Sequence, residues 1–358
     1  ILLSIRKLNQ IDSHYDVVIV GAGIVGAGIF RDLSLHGLKC LLIDKKDFCS
    51  QTSQASSKML HGGIRYLENF DFGLIWEALH EKNLWLKTAP HLCYEDAFYL
   101  PVFKESVKPL WMLRIGLFIY DLLSGFQNTP HRVLNAEQAI QEIPDLKQAG
   151  LKGAGVYYDA VMDDVKLTLE VIYDGILNKK SHAINYAELN EFENIGDINK
   201  LSLTDCLTHE KKEITTNHTV MALGPFADKF LHSQKNIPWT DKLIPSKGSH
   251  IWIEKSTLNI KYPMVLNTID GRIIFVIPRQ DAILVGTTEL ETVEEYFDIK
   301  PSEAEINYLL KSLNEYFPQK NIQKKHILSS FSGIRPLVQE ETGQIGNLKK
   351  TSRIHHNY

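Results

Sequence analysis

The sequence runs to 358 residues, of which 44% are hydrophobic and 23% charged, with a formal net charge of −4. That is enough chain for two domains and a sizeable core, and it lacks the global basic field on which nucleic-acid binding relies, so no nucleic-acid partner is expected. The four cysteines, Cys40, Cys49, Cys93 and Cys206, form no CxxC pair and no metal-ligand cluster, so no metal is expected and a reducing cytoplasm fits best. No apolar run approaches the ~18 residues of a membrane span. The opening "ILLSIRKLNQ" has neither a long apolar core nor a small-residue cleavage site, so it is not read as a signal peptide. It also lacks an initiator Met, as a chain trimmed at that end would.

"YDVVIV" at 15–20 reads as a buried parallel strand, and the helical periodicity of Ile24 to His36 stops at Gly37. "KCLLID" at 39–44 is a second buried strand, so a βαβ unit opens the chain and a doubly wound sheet is expected. Helices are expected at 72–88, stopped by Pro90, and at 135–144, with Asn135 as N-cap and Gln138 completing a capping box. The apolar segment 108–123 reads as a core or domain-packing helix, or as a contact with a membrane or lipid-soluble partner. A further helix is expected at 163–180, then strands at 184–193, 200–206, 213–223, 248–254, 272–278 and 282–288, the last two forming a hairpin, and a helix at 303–316. The expected class is α/β, a Rossmann-like nucleotide-binding domain with an inserted antiparallel-sheet substrate domain. The first domain is drawn from 12–88, 150–235 and 330–358, and the second from 89–149 and 236–329.

Gly21, Gly23 and Gly26 form G-x-G-x-x-G between the first strand and the first helix. Gly21 allows the tight turn, Gly23 lets the backbone approach a pyrophosphate, and Gly26 lets the helix pack on the strand. The helix N-terminus then offers unpaired N–H groups to the diphosphate. Asp44, at the end of the second strand, is placed to accept from a ribose hydroxyl. This combination predicts dinucleotide binding without separating NAD from FAD. The next stretch, 48–67, is small, polar and glycine-rich, and it holds Ser53, Ser57 and Lys58. Such a stretch suits a second pass along an extended cofactor, although a solvated loop has the same composition.

"VIVGAGIVGAGIFRDLSLHGLKCLLIDKKDFCSQTSQASSKMLHGGIRYLE" resembles the opening of the FAD-dependent glycerol-3-phosphate dehydrogenases, within the glycine-oxidase and D-amino-acid-oxidase superfamily. The resemblance continues in order through "WMLRIGLFIYDLL", "NAEQAI", "YYDAVMDDVKLTLE", "ALGPFADKF", "KGSHIWI", "RIIFVIPRQDAILVGTTE", "AEINYLL" and "SGIRPL", and covers 15–355. The family goes on into a glycine-rich segment that closes over the flavin and a helical C-terminal domain, and both are expected beyond Tyr358.

The resemblance implies oxidation of sn-glycerol 3-phosphate to dihydroxyacetone phosphate, with a hydride passing from C2 to FAD N5 and electrons going on to a membrane quinone. Arg65 with its neighbour Tyr66, Arg335 and Arg353 stand at the family's substrate positions, and a phosphate dianion needs such fixed cations. His250 and His61 are both candidates for taking the C2 hydroxyl proton. The resemblance also implies that Gly62 and Gly63 lie against the isoalloxazine ring, where a Cβ would collide. His61 can instead bond the cofactor. Ala222 and Gly224 would pass near its ribityl-diphosphate portion, and Ala187 near the adenine. The implied location is peripheral, on the inner face of the cytoplasmic membrane, and a homodimer is a compatible assembly. Two alternatives remain at this stage: a glycerol-3-phosphate oxidase that uses O2, and an amine or hydroxy-acid oxidase of the same superfamily.

Overall fold

The computed structural model describes residues 7–234, 237–268, 270–291 and 297–338. β1 (His14–Val20) is buried along most of its length, which is why its apolar run shows no alternation. It leads into α1 (Ile24–Leu35) and β2 (Cys40–Ile43), and Gly37 takes the left-handed conformation that ends the helix (φ +88°). β3 (Met59–Leu60), α2 (Phe72–Thr88), β4 (Cys93–Phe103), α3 (Leu110–Leu123), β5 (Arg132–Asn135) and α4 (Ala136–Glu142) follow. The Asn135–Gln138 capping box is formed as the spacing predicts. Next come β6 (Leu151–Met162), α5 (Asp164–Ile176), β7 (His182–Ile184), β8 (Ala187–Ile195), β9 (Ile198–Asp205), β10 (Lys211–Met221) and α6 (Ala227–Ser233). The described chain closes with β11 (Leu243–Glu254), β12 (Met264–Asn267), β13 (Ile273–Pro278), β14 (Ala282–Gly286), β15 (Leu290–Glu291), α7 (Glu303–Tyr316) and β16 (Ile327–Val338).

Two sheets result. The first has the order β7-β2-β1-β10-β9-β8, with β7, β2, β1 and β10 parallel and β9 and β8 added antiparallel. Val17 and Ile19 of β1 join Phe30 of α1 and Ile172 of α5 in one core, while Val18 and Val20 face another. The second sheet has the order β15-β11-β14-β13-β12-β4-β6-β3, with β16 on β11 and β5 on β6. One of its faces packs on α4 and α7 and the other on α2 and α3. Each large apolar side chain buried there, such as Leu309 or Leu313 of α7 or Phe317 just after it, is worth about 1.5–3 kcal/mol.

Strand pairing cuts across two of the expected domain segments and divides one expected strand. β6 runs antiparallel to β4 from Cys93↔Met162 to Phe103↔Leu151, so 151–162 belongs to the second sheet rather than to the 150–235 nucleotide segment. β16 pairs with β11 from Leu243↔Val338 to Ile253↔Ile327, which moves 330–338 to the second sheet as well. The expected strand 184–193 is two strands, broken where Tyr186 turns left-handed (φ +53°).

Candidate active site

Directly opposed residues of antiparallel strands point to the same face. On the α2/α3 side of the second sheet, one row therefore runs Phe275, Gly286, His250, Phe331 across β13, β14, β11 and β16. Gly286 leaves room for the histidine, because a Cβ there would lie 2.6 Å from His250 Cγ. His250 is buried and lies flat on Phe331, with ring centroids 4.9 Å apart. Its Nε2 is 3.0 Å from Ser57 Oγ, and Nδ1 has no hydrogen-bond partner. Burial, reinforced by the charges of Arg335 and Lys58, pulls the His250 pKa down to about 3, so the ring is neutral at neutral pH.

Two residues along, Gly248 opposes Gly333, and beyond them Ser246 opposes Arg335. The Arg335 guanidinium folds back over Gly248, where an added Cβ would sit 2.7 Å from Cζ. Its Nη2 donates to Thr287 Oγ1 at 2.8 Å and to the Thr288 carbonyl at 3.4 Å, while the buried Nη1 has no partner. Burial lowers the Arg335 pKa. Glu289 opposes that shift, and the nearby charge of Arg65 adds to it. Gly248 and Gly286 thus let a guanidinium with a donor to spare and a neutral imidazole lie close on one face of the sheet.

The loop before β3 is laced onto this part of the sheet. The Thr52 hydroxyl donates to the Ile334 carbonyl at 2.8 Å, and Ala55 covers Gly333. Lys58, expected as a cofactor contact, donates to Asp164 Oδ1 at 2.6 Å and to the Gln54 carbonyl at 2.7 Å. Ser56 donates to the same carboxylate, so the Lys58 ammonium is paired within the protein. His61 is exposed and meets Phe275 edge-on, with centroids 6.4 Å apart. It therefore packs at the Phe275 end of the row that holds His250.

Gly62 and Gly63 are also required by contacts within the protein itself. A Cβ on Gly62 would strike the Tyr120 hydroxyl and Leu79, and one on Gly63 would lie 2.9 Å from the Tyr66 ring. Gly63 is also left-handed, with φ +80°. Both glycines are buried against protein, and the Gly62 N–H donates to Asp159 Oδ1 at 2.9 Å and Oδ2 at 3.2 Å. Asp159 is fully buried. Lys82 Nζ lies 3.7 Å away and itself donates to Asn128 Oδ1 at 2.9 Å. Burial lifts the Asp159 pKa to about 6, with Lys82 and the Gly62 N–H working against it. This pair anchors the turn 64–69 that carries exposed Arg65 and half-buried Tyr66. Arg353 lies outside the described residues.

The glycine signature lies at the first sheet. Gly21 is left-handed (φ +104°), and a Cβ on it would strike the Ala222 carbonyl. A Cβ on Gly26 would strike the Gly21 carbonyl and come within 3.2 Å of Ala222 Cβ. Gly23 caps α1 without a side-chain bond, and Ser53 Oγ accepts from the Ile24 N–H at 3.0 Å. Asp44 Oδ2 accepts from the Ala22 N–H at 2.7 Å and Oδ1 from the Lys46 N–H at 2.8 Å, so it clamps the loop. Burial pushes Asp44 up to about 6 against these two bonds. The Ala187 N–H donates to the Asp44 carbonyl at 2.8 Å, which sets it beside that strand end. Gly224 opens the turn 224–226, with φ +53° and no atom within 4 Å of an added Cβ.

Thr287, Thr288, Gly248, Gly286 and Gly333 were not singled out from the sequence. Their signal was glycine inside strand-forming runs, which marks close approach of another group.

A family model for FAD-dependent oxidoreductases (DAO) matches residues 16–358. The chain belongs to this family. An α-glycerophosphate oxidase of Streptococcus pneumoniae is 34% identical over 346 residues, 94% of this chain and 56% of that protein. An aerobic glycerol-3-phosphate dehydrogenase of Bacillus subtilis is 33% identical over 343 residues, 95% of this chain and 61% of that one. The chain thus spans less than two thirds of the length of these relatives. A crystal structure of a glycerol-3-phosphate dehydrogenase from Bacillus halodurans complexed with FAD superposes with a TM-score of 0.77 at 26% identity. It covers 92% of this chain and 58% of that one. The residues present fit the FAD of this oxidoreductase family. The Gly21–Gly26 turn and the N-terminus of α1, where Ser53 holds the Ile24 N–H, suit its diphosphate, and Asp44 and Ala187 flank the adjoining strand end.

Proposed function

We propose that this chain forms the flavin- and substrate-binding part of an enzyme that oxidises sn-glycerol 3-phosphate to dihydroxyacetone phosphate. The observation that carries the reading is Arg335, whose guanidinium lies over Gly248 with a buried, unpartnered Nη1, on the same sheet face as a neutral His250. The names of the relatives, glycerol-3-phosphate dehydrogenase and α-glycerophosphate oxidase, support the same substrate.

Gly21, Gly23, Gly26, Ser53, Asp44, Ala187, Ala222 and Gly224 would hold FAD, which when bound supplies the acceptor for the C2 hydride. Arg335, with Arg65 behind it, binds the anionic substrate by charge-assisted hydrogen bonds. Tyr66 stands beside Arg65. His250 donates Nε2–H to Ser57 and takes the C2 hydroxyl proton at Nδ1, and the bound dianion raises the basicity that Arg335 and Lys58 depress. The exposed His61 is the second group able to accept that proton.

The electron acceptor we favour is a lipid-soluble quinone. Among the described residues no helix is long and apolar enough to cross a membrane. Yet α3 exposes Trp111, Ile115, Phe118 and Leu122 on one face, each more than half accessible. A face of that kind suits peripheral contact with the inner leaflet of the cytoplasmic membrane. Dioxygen is the second reading, supported by the oxidase among the relatives.

Anaerobic titration tests the proposal. Flavin bands near ~450 nm should bleach with glycerol 3-phosphate and recover with a quinone analogue. Bleaching by an amine or amino acid instead would sink the substrate assignment. Rapid recovery in air with peroxide release would move the acceptor to dioxygen.

A further inference from the structure

The other face of the same strands carries a feature that flavin chemistry does not require. Along β11, Gly248 and His250 look toward the candidate site, so Lys247 and Ser249 look the opposite way. They meet Glu305, which is buried on the first turn of α7. Lys247 Nζ lies 2.9 Å from Glu305 Oε2, and the Ser249 hydroxyl donates to Oε1 at 2.6 Å. The Thr288 hydroxyl also donates to Oε1, at 2.9 Å. Ser249 Oγ is in turn 2.6 Å from Ser332 Oγ on β16, the strand that presents Arg335. One carboxylate thus gathers β11, the residues after β14 and β16 from behind. Thr288 bridges the two faces directly, with its hydroxyl on Glu305 and its carbonyl on Arg335.

Helix capping alone does not account for this. In a capping box the Glu at the third helical position needs one oxygen, to accept from the N-cap N–H. Glu305 Oε2 performs that task for Ser302, at 2.8 Å. Oε1 is committed to Ser249 and Thr288, away from the helix. Burial works against ionisation, but the bonds from Ser249, Ser302, Lys247 and Thr288 hold Glu305 at about 2, so it is a fixed anion at all working pH values.

We propose that Glu305 is a positioning residue for the anion site: through Ser249 and Thr288 it sets where Arg335 and His250 stand. The inference rests on the reading of that site as one for a phosphate ester. The test compares Glu305→Gln with Ser302→Ala in the holoenzyme. Glutamine is itself a capping-box residue, so Glu305→Gln spares the helix while weakening the Lys247, Ser249 and Thr288 contacts. Ser302→Ala breaks the cap and removes the Ser302 hydroxyl's own bond to Oε2, 2.9 Å long, but leaves the Lys247, Ser249 and Thr288 contacts in place.

Glu305→Gln should raise KM for glycerol 3-phosphate about tenfold, with a smaller change in kcat and full flavin content. It should weaken inorganic phosphate, measured by calorimetry, by a similar factor. Ser302→Ala should lower the melting temperature with KM and phosphate affinity within about twofold of wild type. Phosphate affinity within about twofold of wild type in Glu305→Gln, or an equal loss in Ser302→Ala, would overturn the inference. Failure of the wild type to turn over glycerol 3-phosphate would overturn the functional reading alone, because the calorimetric comparison needs no turnover.

Discussion

Arg335 is expensive to bury, and its surroundings show how narrowly it is placed. Gly248 lies beneath the guanidinium, Thr287 and Thr288 hold Nη2, and Nη1 stays free. Lysine would keep the charge but lose the planar fork. Arg335→Lys should therefore keep fold and flavin while lowering kcat/KM by roughly 30- to 1000-fold, about 2–4 kcal/mol of lost charge-assisted bonding. Steady-state kinetics with an artificial acceptor at matched flavin content measures this, and a change under about fivefold would remove Arg335 from the site. Gly286→Ala makes the complementary demand on His250. The new methyl must displace the imidazole from Phe331, so stability should fall by about 1–3 kcal/mol and turnover should fall with it. An unchanged denaturation midpoint would show that the ring has another place to go. Arg65, Arg335 and His250 could be named from the sequence as candidates because they sit in long motifs. The pairing of Lys58 with Asp164 could not, since that partner lies 106 residues away.

At the scale of elements, legibility followed burial pattern. β1, α1 and β2 could be read because strand, glycine turn and helix each carry a local signature. β6 could not, because it is buried on both faces and small residues such as Gly153, Ala154, Gly155 and Ala160 replace any period of two. β4 hid for a related reason, with Glu95, Asp96 and Pro101 interrupting its apolar run. β6 supplies Asp159 to its buried pair with Lys82 of α2, and a buried pair broken on one side is strongly destabilising. Lys82→Met should cost about 3–5 kcal/mol, and adding Asp159→Asn should restore most of it by removing the stranded charge. Denaturant midpoints of the two variants decide the matter. Equal midpoints would mean that Asp159 is protonated in the native protein and does not need its partner.

For the whole molecule, acid should act through groups that titrate in opposite senses. The His250 pKa of about 3 lies below its ordinary 6.5, so its contribution is complete above pH 6.5 and is lost as pH falls toward 3. Asp159, raised to about 6, contributes below its ordinary 3.8 and loses that contribution as pH rises through 6. His250→Phe removes only the first group. Between neutrality and pH ~5, wild type should therefore lose about 2 kcal/mol relative to the variant, as read from urea titrations. A relative change below about 0.5 kcal/mol would mean that the histidine titrates normally. The outer surface makes a separate prediction. Phe118→Glu together with Ile115→Glu should weaken binding to phosphatidylethanolamine–phosphatidylglycerol vesicles at least tenfold, ~1.4 kcal/mol or more, at unchanged flavin content. Undiminished sedimentation with those vesicles would move the membrane contact elsewhere. The bond from Thr52 to Ile334 joins residues 282 positions apart. At ~5–20 residues per second, a ribosome takes about 15–55 s to make the second partner after the first. During that interval the glycine turn of the first sheet can be complete while the strip beneath Arg335 has no closing strand. Nucleotide capture and assembly of the substrate site are therefore separated in the birth of the protein, with the Rossmann-like unit waiting for β16 to arrive.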